Sequence, residues 1–501
     1  MVGVTGFEPA TPIVPKGGRW AARAPGPDDR IDINVLDVKL INAMDVNSRN
    51  LLFSRGEIDR DDLWPKSTEY REQPCTFRFT FGLDELPAEP GIILIRGPRQ
   101  FGKSTWLELE LKRTLEDYGP GSAYFLNGDE ITDADELEAR LLDLLPLFSG
   151  DVGVRRIFID EVSAVPSWER ALKRIADRGQ LRNVLVVTTG SRAADIRRGS
   201  ERLPGRKGKL ARTEYLFTGV SYKDFHAQFR DQLGENTWKS YLLTGGSPVA
   251  AVEIRQRERL PEYFFEIIRD WIIGELVRSG RSRQFLLALM RTLYVQGGSR
   301  TGYLKLARES GLANNTIAAE YVEQLSDLLA VIPSHQWDAD KRVPLQRKPA
   351  KFHFVNLSVA LAFSPNRMTH VSEFDALESE MKSKWVEWLV AQELFRRQCI
   401  AGAEDPEALW FWASNQHEID FVDAQERLYE VKVGRTGPLD FAWFPKTLPK
   451  RKLLVVGGGQ FASSAVKGVT IEQFLLADGF PHPYPGQVEN PDIYNDYGRF
   501  T

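Results

Sequence analysis

"GIILIRGPRQFGKST", residues 91–105, joins an unbroken apolar run to a glycine-rich turn. The run is too short to span a membrane and has the length of a buried strand. Behind it come Gly97-x-x-x-x-Gly102-Lys103-Ser104 and then "TWLELELKRTL", which reads as a helix. Strand, glycine turn and helix in that order form a cradle for phosphate. Gly97 and Gly102 let the backbone curl around Pro98, Arg99, Gln100 and Phe101, turning loop N–H groups toward the anion. Lys103 reaches the β/γ-oxygens, Ser104 is placed to ligate Mg²⁺, and Thr105 continues a helix whose N-terminal dipole favours negative charge. ATP with Mg²⁺ is the expected ligand pair.

Apolar runs continue outward from this stretch. "SAYFLNGD", "RRIFIDE" and "NVLVVTTGS" alternate with helical patterns until about Phe229, the signature of a parallel α/β sheet. "RRIFIDEV" ends in Asp160-Glu161, one strand–helix unit after the glycine turn. Asp160 is expected in the Mg²⁺ water shell and Glu161 as general base. "VLVVTTGS" ends in Thr189 and Ser191; Ser191 either senses the terminal phosphate or caps the next helix.

Composition bounds the rest. The chain has 501 residues and a net charge of −4, so several domains are expected, and any nucleic-acid binding must come from a local patch. Its two cysteines, Cys75 and Cys399, have no metal-ligand or disulfide-framework spacing, which suits a reducing cytoplasm. No signal peptide or membrane-length apolar stretch is visible, so no membrane association is expected.

The expected organisation has six parts. Residues 1–50 read as a disordered extension rich in Pro and Gly, whose opening "VGVTGFEPATP" resembles a spurious translation, with Met44 as an alternative start. Residues 51–232 form the phosphate-binding domain with a polar lead-in, and 233–297 a helical lid-like region around "YFFEIIRDWIIGELVRSG". Residues 298–370 read as a winged-helix-like module, two short helices and a strand pair. Residues 371–478 form an α/β C-terminal domain, and 479–501 a Pro-rich tail. The second helix of the winged-helix pair, "NNTIAAEYVEQLSDLL", carries Glu320, Glu323 and Asp327 and no basic residue. Phosphates would repel it, which favours structural or protein-contact use over DNA binding.

"NQHEIDFVDAQERLYEVKVG", residues 415–434, reads as a hairpin. With its turn near Gln425, Asp420 and Glu430 fall opposite one another, close enough to share a divalent ion, and Lys432 stands beside Glu430. Two acids for Mg²⁺ and a lysine to orient water or steady phosphate charge suit phosphodiester cleavage. The bland alternative is a charged, exposed sheet face. The helix "KWVEWLVAQEL" offers a further acid: Glu387 faces apolar neighbours, whereas Glu393 has Arg396 and Arg397 at i+3 and i+4, the setting of a solvated ion pair. Glu387 is therefore assigned to the centre. Trp410 and Trp412 could stack bases, but alternating aromatics in a strand are more often core.

Two resemblances follow from these motifs. "GPRQFGKST", "IFIDEVSAVPSWERALKRIAD", "TTGSRAADIRRGSERLPGRKGK" and "YLLTGGSPVAAV" resemble the AAA-type P-loop ATPases of bacteria and archaea that carry an uncharacterised C-terminal region. That resemblance implies a parallel-sheet P-loop NTPase core, and it makes Arg206 a candidate for the arginine completing a γ-phosphate site, in cis or from a neighbouring subunit of a homo-oligomer. Arg206 could equally hold its loop by pairing with an acid. Asp-x₉-Glu-x-Lys on a hairpin resembles the core of restriction-endonuclease-like PD-(D/E)xK folds. The expected function is an ATPase whose nucleotide state controls a Mg²⁺-dependent nuclease-like domain acting on DNA or RNA. The alternative is a nucleotide-controlled switch that binds protein partners without cleaving.

Overall fold

The computed structural model describes residues 45–150, 152–403 and 408–477. The expected N-terminal extension up to residue 44 and the Pro-rich tail lie outside them. Five strands, β1 (Gly91–Arg96), β2 (Ala123–Asn127), β3 (Arg156–Asp160), β4 (Leu185–Gly190) and β5 (Glu214–Leu216), make a wholly parallel sheet in the order β2-β3-β4-β1-β5. The period-2 alternation of β1 splits its apolar side chains between two cores. Ile92 and Leu94 pack with Leu126, Ile159 and Val186 on one face. Ile93 and Ile95 pack with Phe158, Leu185 and Val187 on the other. Both faces are thus covered, as a parallel sheet requires. The four expected strands are present; β5 is too short to announce itself in the sequence.

The edge of this sheet is closed by a helix, Val46–Arg55, which includes residues the sequence grouped with the extension. Asn50 donates to the Phe125 carbonyl and accepts from the Phe125 N–H, both at 2.8 Å, satisfying backbone groups on β2 that would otherwise be unpaired.

Helices Tyr222–Leu233, Thr237–Thr244, Pro248–Arg257, Glu262–Arg278 and Arg283–Gln296 follow. Next come Tyr303–Ser310 and Asn315–Asp327, joined through left-handed Gly311, and the antiparallel pair β6 (Val331–Ser334) with β9 (Lys351–Phe354). Between those two strands, β7 (Gln336–Asp338) and β8 (Val343–Leu345) leave the pair and join a second sheet.

That second sheet has eight strands. Beyond β7 and β8 it contains β10 (Trp410–Ala413), β11 (Glu418–Val422), β12 (Leu428–Val431), β13 (Leu453–Val456), β14 (Phe461–Ala462) and β15 (Val466–Val469), in the order β14-β15-β13-β12-β11-β10-β7-β8. The pairing of β7 with β10 crosses the sequence position 370/371 at which a domain boundary was expected. The long helix Ser379–Ala401 shares a core with Phe421, Tyr429, Val431 and Leu454, while Val422, Leu428 and Val455 pack in a separate cluster with Phe444. Trp385 and Leu389 of that helix lie in the same core as Ile268 and Leu325 of the helical region. Among the described residues no helix is long and apolar enough to cross a membrane, and Cys75 and Cys399 are both buried free thiols.

Candidate functional site

The phosphate loop leaves the C-terminal end of β1. Its two glycines serve different needs. Gly102 adopts φ 95°, the left-handed region, and a Cβ there would meet the Phe79 ring at 2.5 Å. Gly97 needs no such φ; a Cβ would lie 2.6 Å from the Phe217 carbonyl oxygen, so its role is close approach. The second positive φ in the loop falls on Gln100. Pro98 and Phe101 are buried, whereas Arg99 and Gln100 are exposed. Lys103 opens the helix Lys103–Tyr118, with Ser104 and Thr105 half-buried behind it. The buried Lys103 Nζ donates to the carbonyls of Gly97 (3.1 Å) and Pro98 (2.7 Å). Burial lowers its pKa, and Glu161 and Asp160 oppose that shift.

Asp160 ends β3 and Thr189 is the penultimate residue of the neighbouring β4, and the Thr189 hydroxyl donates to Asp160 Oδ1 at 2.5 Å. Burial raises the Asp160 pKa, opposed by hydrogen bonds from Thr189 and Ser104. The two groups assigned to Mg²⁺, Ser104 and Asp160, therefore lie side by side, and their oxygen chemistry suits a hard cation. Glu161 sits at φ 48°, a conformation rare outside glycine. Its N–H is 3.2 Å from both Asp160 Oδ1 and Thr189 Oγ1. Ser191 donates both its N–H (2.9 Å) and its hydroxyl (3.0 Å) to Glu161 Oε2. The helix Ala193–Glu201 has Arg192 at its cap position without a side-chain cap bond. Ser191 is thus a holder of Glu161 and does not cap the helix.

Arg206 lies elsewhere. Lys207 pairs through its carbonyl with Ile92, and Gly208 bridges Gly91, both at the start of β1 and away from the loop at its end. Arg206 itself pairs with Asp177 through Nε at 2.6 Å and Nη2 at 3.3 Å. Of the two expected uses, the structure displays the loop-holding pair; completion of this chain's own phosphate site does not fit that position.

The hairpin acids form a second cluster. Phe421 pairs with Tyr429 and Val422 with Leu428, so continuing the register sets Asp420 opposite Glu430, as the spacing predicts. The Asp420 N–H donates to Glu430 Oε2 (3.2 Å), and Asp420 Oδ2 accepts from the Val431 N–H (2.9 Å). Lys432 Nζ pairs with Glu430 Oε1 at 2.5 Å. Sequence reasoning did not find the centre of the cluster, Lys351 of β9. Its Nζ lies 2.6 Å from Glu418 Oε1, 3.0 Å from Asp420 Oδ1 and 3.7 Å from Glu387 Oε1, and its side chain is 2% exposed. Lys351 is a buried counter-ion to these acids. His353, fully buried, has Nδ1 3.7 Å from Glu387 Oε1. Arg300 Nε pairs with Glu418 Oε2 at 3.0 Å.

These groups divide the charge unequally. Burial raises Asp420, but Lys351, the Val431 N–H and Lys432 outweigh it and hold the carboxyl below its usual range. Burial, then Asp420, pushes Glu430 up to about 8 and Glu387 up to about 7. Among the described residues, no three His, Cys, Asp or Glu side chains are arranged to hold a metal ion; the acids converge on lysine. Glu393 does pair with Arg396 and Arg397, but at 1% exposure it is buried, contrary to the solvated setting expected. Trp412 is core, stacked against Trp443 at 6.2 Å.

The two sites share a helix. Gln392 and Arg396 of Ser379–Ala401 line a cavity of about 30 Å³ together with Pro98 and Phe101 of the phosphate loop, and Glu387 lies one to three turns earlier on that helix. The acids of Asn315–Asp327 are also accounted for internally: Glu320 pairs with Arg281, and Glu323 and Asp327 both pair with Arg197 of the helix Ala193–Glu201, each at 2.9 Å.

Comparison with known proteins gives a match to the AAA domain family over residues 89–225. An uncharacterized protein of Methanocaldococcus jannaschii is 21% identical over 408 residues, covering 78% of this chain and 82% of its own. Among solved structures, a Walker-type ATPase of Pyrococcus abyssi aligns with 61% of this chain and 97% of its own at 16% identity and a TM-score of 0.40. The ORC1 protein of Aeropyrum pernix, solved in complex with DNA, aligns with 56% of this chain and 88% of its own at 17% identity and a TM-score of 0.30. The family match falls on the segment that carries the parallel sheet, the phosphate loop and the acidic end of β3, and residues 89–225 form an AAA-type P-loop ATPase domain.

Proposed function

We propose that the chain binds and hydrolyses ATP at Lys103, Ser104, Asp160 and Glu161, and that nucleotide state controls a Mg²⁺-dependent, nuclease-like centre acting on nucleic acid. The observation that carries the second half is the register of Asp420 against Glu430, with Lys432 ion-paired to Glu430. Glu387 faces the same group across Lys351. Bound Mg²⁺ would supply Lewis acidity to a phosphodiester there; Lys432 would balance developing charge, and Asp420 stays ionised. Control by nucleotide draws support from the helix Ser379–Ala401, which lines one cavity with Pro98 and Phe101 of the phosphate loop and bears Glu387.

The region 298–370 takes, in this reading, a winged-helix role in contacts within the protein. Its second helix spends Glu320, Glu323 and Asp327 on Arg281 and Arg197, so it is engaged toward the ATPase domain and the helical region. An arginine-finger role for Arg206 would belong to a neighbouring subunit and would require breaking its pair with Asp177.

The experiment is Mg²⁺-dependent cleavage of labelled single- and double-stranded DNA and RNA, with and without ATP, beside Lys432→Ala. Cleavage lost in the variant supports the centre, and its ATP dependence supports the control. A second reading, a nucleotide-controlled switch that does not cleave, is favoured by one observation: the acids already neutralise a lysine. ATP hydrolysis without cleavage under any condition would select it.

A further inference from the structure

The position of Lys351 suggests more than charge balance. Three carboxylates from two elements each turn one oxygen to its ammonium: Glu418 Oε1 and Asp420 Oδ1 from β11, and Glu387 Oε1 from the long helix, with Lys351 itself arriving on a third element, β9. The other oxygens of the β11 acids are spent elsewhere, Glu418 Oε2 on Arg300 and Asp420 Oδ2 on the Val431 N–H. What remains is a point, 2.6 to 3.7 Å from three inward-facing oxygens, holding one positive charge. With the ammonium in place, no three of the described His, Cys, Asp or Glu side chains make a metal site; a hard divalent cation would need these oxygens drawn in to about 2.0–2.6 Å.

A second observation marks the set as incomplete. His353, two residues along the same strand, is 0% exposed, and neither ring nitrogen has a hydrogen-bond partner. The nearby Glu387 Oε1 also lacks a hydrogen bond. A buried imidazole and a buried carboxylate oxygen, 3.7 Å apart and both unsatisfied, are groups that a bound ion, or a water bound to one, would satisfy.

We propose that the Lys351 ammonium holds the place of a divalent cation, and that metal enters only when Lys351 withdraws, with Glu387, Glu418 and Asp420 as its ligands and His353 beside it. The inference rests on the metal-dependent reading of the C-terminal centre, and it moves the ion from between Asp420 and Glu430 to the far side of Asp420. The strand carrying the lysine has a mechanical link to the ATPase domain. β9 pairs with β6, β6 follows the helix that ends at Asp327, and Asp327 is held by Arg197 on the helix beginning just after Ser191. Movement of that helix with nucleotide state would shift the strand pair and withdraw the lysine.

The test is Mn²⁺ binding to the full chain without nucleotide, by equilibrium dialysis and electron paramagnetic resonance. Wild type, Lys351→Met and Lys351→Met/Asp420→Asn would be compared after thermal melts show each folded, with Lys351→Gln standing in should the methionine variant fail. The expected result is one Mn²⁺ site in the lysine variant, at least tenfold tighter than any in wild type and abolished by Asp420→Asn. Equal, Asp420-dependent binding in wild type would overturn the proposal, as would a folded lysine variant that gains no site. Cleavage is scored separately: a gained site without cleavage keeps the lysine assignment and removes the nuclease reading.

Discussion

Arg197 and Asp327 meet at 2.9 Å across the contact between the ATPase domain and the module that follows it, with the aspartate side chain 2% exposed. Arg96, at the end of β1, donates to the backbone carbonyl of the same residue at 3.4 Å. One of the three acids that would repel DNA phosphates thus fastens this helix to the nucleotide-binding domain. A buried carboxylate deprived of its cation is costly, though the neighbouring Arg96 softens the loss here. Arg197→Ala should lower stability by roughly 1–3 kcal/mol. A cycle with Asp327→Asn, read by denaturant unfolding, should show non-additivity; independent effects would place the fastening elsewhere.

At the phosphate site, three substitutions should separate by readout. Lys103→Ala removes the charge that now rests on the Gly97 and Pro98 carbonyls, and nucleotide binding should fall with hydrolysis. Glu161→Gln should retain binding and lose turnover by about 10²–10⁴-fold, the usual contribution of a positioned general base. Ser191→Ala removes the hydroxyl contact to Glu161 and keeps the N–H one, so it should lower kcat while leaving nucleotide Kd nearly constant. Fluorescent-nucleotide titration beside phosphate release checks all three. A Kd change for Ser191→Ala matching that of Lys103→Ala would point to direct phosphate contact by the serine.

Arg206 offers a cleaner choice. Its pair with Asp177 stands at the opposite end of β1 from the phosphate loop. Arg206→Ala should therefore leave kcat unchanged at protein concentrations where the chain is monomeric. A kcat that rises with protein concentration in wild type, and not in the variant, would instead assign the arginine to a neighbouring subunit's site.

How far the sequence led depends on the distance over which a contact acts. The phosphate loop was legible because all its parts lie within residues 91–105, and Asp420 could be set opposite Glu430 because one short turn fixes the register. Glu387 was reachable from helix periodicity. Lys351 was not: it meets Asp420 69 residues away, and a lysine beside Arg347 and Lys348 looks like part of an exposed basic run until β7 and β8 are seen to leave for the second sheet. Glu393 failed for the same reason. Its i+3 and i+4 arginines were read correctly, but its burial comes from neighbours such as Phe474, whose carbonyl binds Arg397. Arg206 carried no local signal to tell a finger from a loop pair.

Glu393 also sets an expectation for pH. Burial alone would raise its pKa, but Arg396 and Arg397 outweigh burial and hold it below the ordinary value of 4.5. A carboxylate with a folded pKa lower than its unfolded one stabilises the fold above the unfolded value and loses that contribution as pH falls through the folded one. The pair should therefore be fully effective at neutral pH and fail below the usual carboxylate range. Glu393→Gln leaves two buried guanidinium groups without their anion at 1% and 3–13% side-chain exposure of the three partners, a loss of about 3–5 kcal/mol. Because Arg396 lines the cavity against Pro98 and Phe101 while Glu387 shares its helix, the damage should reach both sites. Urea unfolding of wild type and variant across pH 3 to 8 would check this, the two curves converging as the acid protonates; a constant gap down to the lowest pH would mean that the arginines are held by other groups.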